Sequence, residues 1–135
     1  MRYALQAAML LMLAGCAPTN IAHSSCTSHP LTTADEWTCT VKGALVDTTN
    51  SVRYSTESRN QIAQVKVALQ VTKGTLRITY ADLAGSHQML VTSSEPAAFS
   101  MQTRLSRDDR SFTIMYEPVN GPVEGLTGTV NYSTP

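Results

Sequence analysis

Between Ala63 and Val71 the chain alternates without interruption, with Ala63, Val65, Val67, Leu69 and Val71 on one side and Gln64, Lys66, Ala68 and Gln70 on the other. A period of two puts successive side chains on opposite faces of an extended backbone. This run therefore reads as a β-strand with one face buried and the other wet. The same signature recurs on both sides of it. Trp37, Cys39, Val41 and Leu45 oppose Thr38, Thr40 and Lys42, and after the polar turn Asp47-Thr48-Thr49-Asn50 a short strand carries Val52 and Tyr54. Beyond Lys73-Gly74, read as a tight hairpin turn, Leu76, Ile78 and Tyr80 return against Thr75, Arg77 and Thr79. In the segment 87–92 three consecutive apolar residues, Met89, Leu90 and Val91, leave the parity open.

Phe99, Met101 and Leu105, then Phe112, Ile114 and Tyr116 across the charged turn 107–110, read as a second hairpin. Asn120-Gly121-Pro122 turns the chain once more into a last strand, with Leu126, Val130 and Tyr132 inward. Gly125 and Gly128 there point to a bulge or a close backbone approach. The segment 34–135 thus carries eight candidate strands joined by short links, and no long Leu/Glu/Lys helical stretch. The expected fold is all-β, an antiparallel sandwich or small meander barrel of about seven to eight strands. Medium aliphatics and few large aromatics favour a filled sandwich over a hollow barrel.

The other end of the chain is of a different kind. Arg2 is followed by an apolar stretch from Ala4 to Ala14, interrupted only by Gln6, and the next charge is Asp35. A membrane-spanning helix needs roughly 20 apolar residues, so this stretch fits a cleaved export signal instead. It ends in Leu13-Ala14-Gly15-Cys16, which resembles the lipobox of bacterial lipoproteins. The resemblance covers residues 1–16 and implies cleavage before Cys16, a diacylglyceride on its thiol and a further acyl chain on its amine. Two or more chains give stable anchoring where one does not. In that family an aspartate directly after the lipidated cysteine retains the protein at the inner membrane of diderm bacteria. Here the position is Ala17, which implies the outer membrane, with the outer face of the cytoplasmic membrane as the alternative. The division expected is a signal peptide over 1–15, a lipidated N-terminus and tether over 16–33 and a β-rich domain over 34–135. The tether, broken by Pro18 and Pro30, would span about 20–25 Å if flexible.

Removal of 1–15 leaves 120 of the 135 residues, enough for one core, with nine basic against ten acidic residues. That balance holds no basic patch for nucleic acid, so the partners expected are the membrane, through the anchor, and a protein of the cell envelope. With Cys16 taken by lipid, Cys26 and Cys39 remain in an oxidising compartment and are expected to form a disulfide. They lack the CxxC spacing of redox enzymes, and a metal set of His23, Cys26, His29 and Cys39 is the alternative reading.

Three constellations invite chemistry. Ser86-His87 follows Gly85 but lacks the GxSxG elbow, and neighbours on a strand point apart. Asp108 and Asp109 lie between Arg107 and Arg110, the ordinary dress of a solvated tip. His87, Met89 and Met101, with Met115 on the opposite strand face, are soft donors of the type that suits Cu(I), although methionine as core filler is the commoner use, and no cofactor is expected. With no catalytic constellation, the function expected is a non-enzymatic interaction or assembly module anchored to the envelope. A small-ligand or copper carrier is the alternative. Arg53, Tyr54, Arg77 and Tyr132 are candidates for the contact surface, with plain solvated strand residues as the alternative reading, and the second and last strands are candidate exposed edges open to strand addition.

Overall fold

The computed structural model describes residues 22–28, 35–57 and 59–134. The lipobox and Cys16 lie outside the described residues, as do the domain borders at 15/16 and 33/34. The described residues form eight strands: β1 (Ala22–Ser28), β2 (Asp35–Val46), β3 (Asn50–Ser55), β4 (Ile62–Gln70), β5 (Lys73–Asp82), β6 (Gly85–Val91), β7 (Ala97–Arg104) and β8 (Ser111–Thr134). Every pairing is antiparallel. The all-β expectation is met.

The organiser is β8. Its first part, 111–119, pairs with β3 on one side and β5 on the other, while 123–134 pairs with β2 and β4. One strand therefore belongs to two leaves, β1-β2-β8-β4-β7 and β3-β8-β5-β6, which fold over one another as a sandwich. The bend between the two parts lies at Asn120 (φ 58°) and Gly121 (φ 127°). The turn expected at 120–122 is thus a kink within a continuous strand, because both residues take the left-handed region without the backbone reversing. The bend shifts the buried parity to Val123, and Gly125 (φ 65°) shifts it back for Leu126 onward. Phe112, Ile114 and Tyr116 are buried before it, and Val123, Leu126, Val130 and Tyr132 after it.

Two of the expected hairpins do not form. Among the described strands, only β1–β2 and β5–β6 pair as sequence neighbours. β4 pairs with β7 and β8, so Lys73-Gly74 carries the chain from one leaf to the other instead of closing a hairpin, although Gly74 does take a positive φ of 91°. Nor do β7 and β8 pair with each other, so the second expected hairpin is absent. In both cases the turn residues suit an arch between leaves as well as a hairpin, and the choice is made by which strands β8 can accept. Part of the stretch read as tether, Ala22–Ser28, is strand β1 on the edge of β2. Its Ser/Thr-rich sequence has no hydrophobic alternation to betray it, since an edge strand needs backbone bonds more than burial.

Gly125 and Gly128 do mark a close approach. A Cβ at Gly128 would overlap the Ala68 carbonyl oxygen and stand 2.7 Å from Leu69 Cδ2, and one at Gly125 would overlap Thr72 Oγ1. Bare backbone at these positions lets β8 lie close against β4 and the chain that follows it. The interior holds the inward faces of both leaves, including Val41, Val65, Val67, Leu69, Leu76, Ile78, Ile114, Leu126 and Val130, all at most 3% exposed. Each contributes about 1.5–3 kcal/mol relative to exposure.

Candidate interaction surfaces

Tyr54 and Tyr132, candidates for the contact surface, are core residues at 0% and 3% exposure, and Tyr132 thereby keeps the inward place that the alternation of its strand gives it. They form an aromatic node that stitches the two leaves. Tyr54 and Phe112 stack at 5.1 Å between centroids, and Tyr132 meets both edge-on at 6.1 and 5.1 Å and stacks with Trp37 at 6.3 Å. Their polar ends are satisfied inside. The Tyr54 and Tyr116 hydroxyls lie 2.6 Å apart, and the Tyr132 hydroxyl donates to the Ser55 carbonyl at 2.6 Å. Burial pushes the Tyr54 phenol up to about 12, only partly offset by the Tyr116 hydroxyl, and raises Tyr116 well above the usual phenol value. A phenol buried with its partner is a tolerated core residue, which is why the amphipathic side chain is ambiguous in sequence.

Cys26 and Cys39 face each other across the β1–β2 ladder, Cα atoms 4.0 Å apart, and are joined as a disulfide. With both sulfurs oxidised they offer no thiolate, so the metal set built on them lacks its soft ligands. His29 lies outside the described residues.

On β6, Ser86 opposes Ala81 and His87 opposes Tyr80, so the two side chains leave opposite faces of the strand. His87 Nε2 donates to Asp82 Oδ2 at 2.9 Å, and Asp82 Oδ1 accepts the Ala84 and Gly85 amides at 2.7 and 3.1 Å, which fixes the β5–β6 turn. Partial desolvation pushes the Asp82 carboxyl up, but the His87 hydrogen bond and charge and the two amides together hold it below its usual value. Met89 packs against the core opposite Ile78, and Met101, 8% exposed, lies opposite Val65 on β4. The His87 nitrogen nearest a carboxylate is thus engaged, and both thioethers serve as packing. Among the described residues no group of three His, Cys, Asp or Glu side chains is placed to hold a metal ion.

At the 107–110 tip, Asp109 accepts from the hydroxyls of Ser106 and Ser111 and pairs with Arg53 at 3.0 Å. The two serines, then Arg53, hold its carboxyl below the usual range against slight desolvation. Arg110 instead donates to the Arg59 carbonyl at 2.9 Å. The carboxylate is consumed in shaping the turn.

Two outer faces and the strand edges remain. The face of the β2-β8-β4-β7 leaf is an uncharged lattice broken by single charges, with Thr38, Asn131, Lys66 and Ser100 side by side across four strands. An open groove runs beside that row past Glu36, Gln64 and Ser133. The face of the other leaf carries Leu90, Arg77 and Glu117 in one row, Arg77 reaching Glu117 at 3.5 Å. Leu90, Leu83 and Met115 are exposed there or at the adjoining turn at 53%, 47% and 37%. Of the two edges expected, β3 is one, but the last strand is central, flanked by β2 and β4. β1, β7 and β6 are the other strands that end a leaf.

No protein-family model and no curated protein matches the chain. Among solved structures it is similar to one described as "Bacillus endospore appendages form a novel family of disulfide-linked pili". Identity is 16% and the TM-score 0.46, over 84% of this chain and 93% of that one. It also resembles procruciferin, an 11S globulin from Brassica napus, with 8% identity and a TM-score of 0.30 over 75% of this chain and 20% of that one. Similarity at this level says nothing of role.

Proposed function

We propose that this chain is an exported lipoprotein, anchored at Cys16 to the cell envelope, whose β-sandwich is a non-enzymatic interaction or assembly module. The observation that carries the module is the filled interior. Tyr54, Phe112, Tyr116 and Tyr132 occupy one end of the space between the leaves and aliphatic side chains the rest. Binding is thereby left to outer faces and unpaired edges, the surfaces that protein partners use. The anchor rests on the lipobox Leu13-Ala14-Gly15-Cys16, and Ala17 after it favours the outer membrane. A disulfide between β1 and β2 accords with folding outside the cytosol.

The test has two arms. Cys16→Ser is expected to move the folded domain from the membrane to the soluble fraction, and crosslinking of the wild-type chain in intact envelopes is expected to trap it against protein. A mutant that stays in the membrane contradicts the anchor. A wild-type chain that crosslinks to nothing contradicts the module.

A further inference from the structure

Three of the four strands that end a leaf are dressed against further pairing. β1 is a short, Ser/Thr-rich strand bolted to β2 by the disulfide. On β7, the Gln102 carbonyl accepts the Leu83 amide at 3.0 Å from the β5–β6 turn. On β3, the Ser55 carbonyl accepts the Tyr132 hydroxyl, and Arg53 projects from the strand to Asp109. β6 differs. Its sequence Gly-Ser-His-Gln-Met-Leu-Val holds no Lys, Arg, Pro or carboxylate, and its backbone ladder runs to β5 alone among the described residues. A strand with one unpaired row of amides and carbonyls and no protecting charge is a template for another strand.

Resting on the reading of the domain as an interaction module, we infer that β6 pairs antiparallel with β6 of a second copy, about a two-fold axis at Gln88. Two β3-β8-β5-β6 leaves then become one continuous sheet. The strand complements itself in that register. Gln88 meets Gln88, and an amide side chain both donates and accepts. Ser86 lies opposite Leu90, and His87 opposite Met89. His87 hydrogen-bonds Asp82 of its own chain at 2.9 Å and faces the uncharged Met89 across the seam, so the two copies approach without facing like charges. Leu90, on the outer face at 53% exposure, gains cover across the new seam. An isologous seam also closes on itself after two copies, which a strand from an unrelated chain does not require.

The full-length chain with Gln88→Cys, oxidised mildly in native envelopes and run without reductant, tests this. Residues facing each other on antiparallel strands have Cα atoms about 4.5–5.5 Å apart, within disulfide reach. A species of twice the monomer mass is expected from Gln88→Cys. It is expected from neither the wild type, which controls for the native cysteines, nor Thr79→Cys, one strand further in on β5. Adding Leu90→Lys to Gln88→Cys is expected to abolish the dimer. A Gln88→Cys chain that stays monomeric, or links only to a different protein, overturns the self-pairing. If envelope crosslinking still captures a protein partner in that case, the module reading stands; if nothing is captured, both fall.

Discussion

The hydroxyls of Tyr54 and Tyr116 meet at 2.6 Å between two leaves of sheet, where neither side chain shares surface with water. Their rings come from β3 and from the first part of β8, adjacent strands whose next neighbour across the interior is Tyr132 on the second part of β8. The pair therefore sits where the shared strand divides its loyalty between the leaves, and it remains buried only while both phenols are neutral.

That requirement sets an alkaline limit. The Tyr54 phenol is raised from 10.0 to about 12 in the folded chain, so the unfolded state loses its proton first as pH rises. Stability from the neutral phenol is complete below pH 10 and is lost progressively between 10 and about 12, a change on the order of 3 kcal/mol for a shift of this size. The double variant Tyr54→Phe/Tyr116→Phe is expected to unfold at higher pH than wild type when followed by circular dichroism. An unchanged alkaline midpoint would show that the pair does not govern it.

Gly128 faces Leu69 across the β8–β4 ladder, and any Cβ there meets the Ala68 carbonyl. Backbone on both sides leaves little to yield, so Gly128→Ala is expected to cost about 1–3 kcal/mol or more by overpacking. Ser100→Ala, on the exposed face of β7, is expected to stay within about 0.5 kcal/mol of wild type. Denaturant titration of the two variants checks the contrast, and equal midpoints would refute the close approach.

The Cys26–Cys39 bridge ties β1 to the single strand it pairs with. Closing that loop contributes on the order of 3 kcal/mol in the chain-entropy picture. Reduction is expected to speed amide exchange first along β1 while β4, paired on both sides, keeps its protection. Alkylation without reductant is expected to leave both cysteines unmodified. Two alkylated thiols in protein recovered from the envelope, or uniform loss of protection on reduction, would contradict the arrangement.

What could be read from residues alone was local. The alternation 63–71 is β4 almost to the residue, because both its faces obey one rule: apolar toward the other leaf, polar toward water. The disulfide was legible by elimination once Cys16 was assigned to lipid. Pairing partners were not legible. Whether Lys73-Gly74 folds β5 back onto β4 or throws it across the sandwich depends on β8, some fifty residues away in sequence, and no local propensity records that choice. β1 escaped because its strand is held by backbone bonds and a sulfur bridge, with no alternating apolar face to reveal it. The alternation of the last strand already turns Tyr132 inward, whereas nothing local shows that the hydroxyls of Tyr54 and Tyr132 find partners inside. The hydrogen bond between His87 and Asp82 is not legible either, since it exists only once the 82–85 turn brings β5 and β6 together.

Attachment to the membrane through Cys16 is the claim on which the envelope role stands, and metabolic labelling with a clickable fatty acid reads it directly. The wild-type chain is expected to carry label and to sediment with membranes, and Cys16→Ser to carry none and to remain in the soluble fraction with its disulfide intact. A wild-type chain recovered without label would contradict the account.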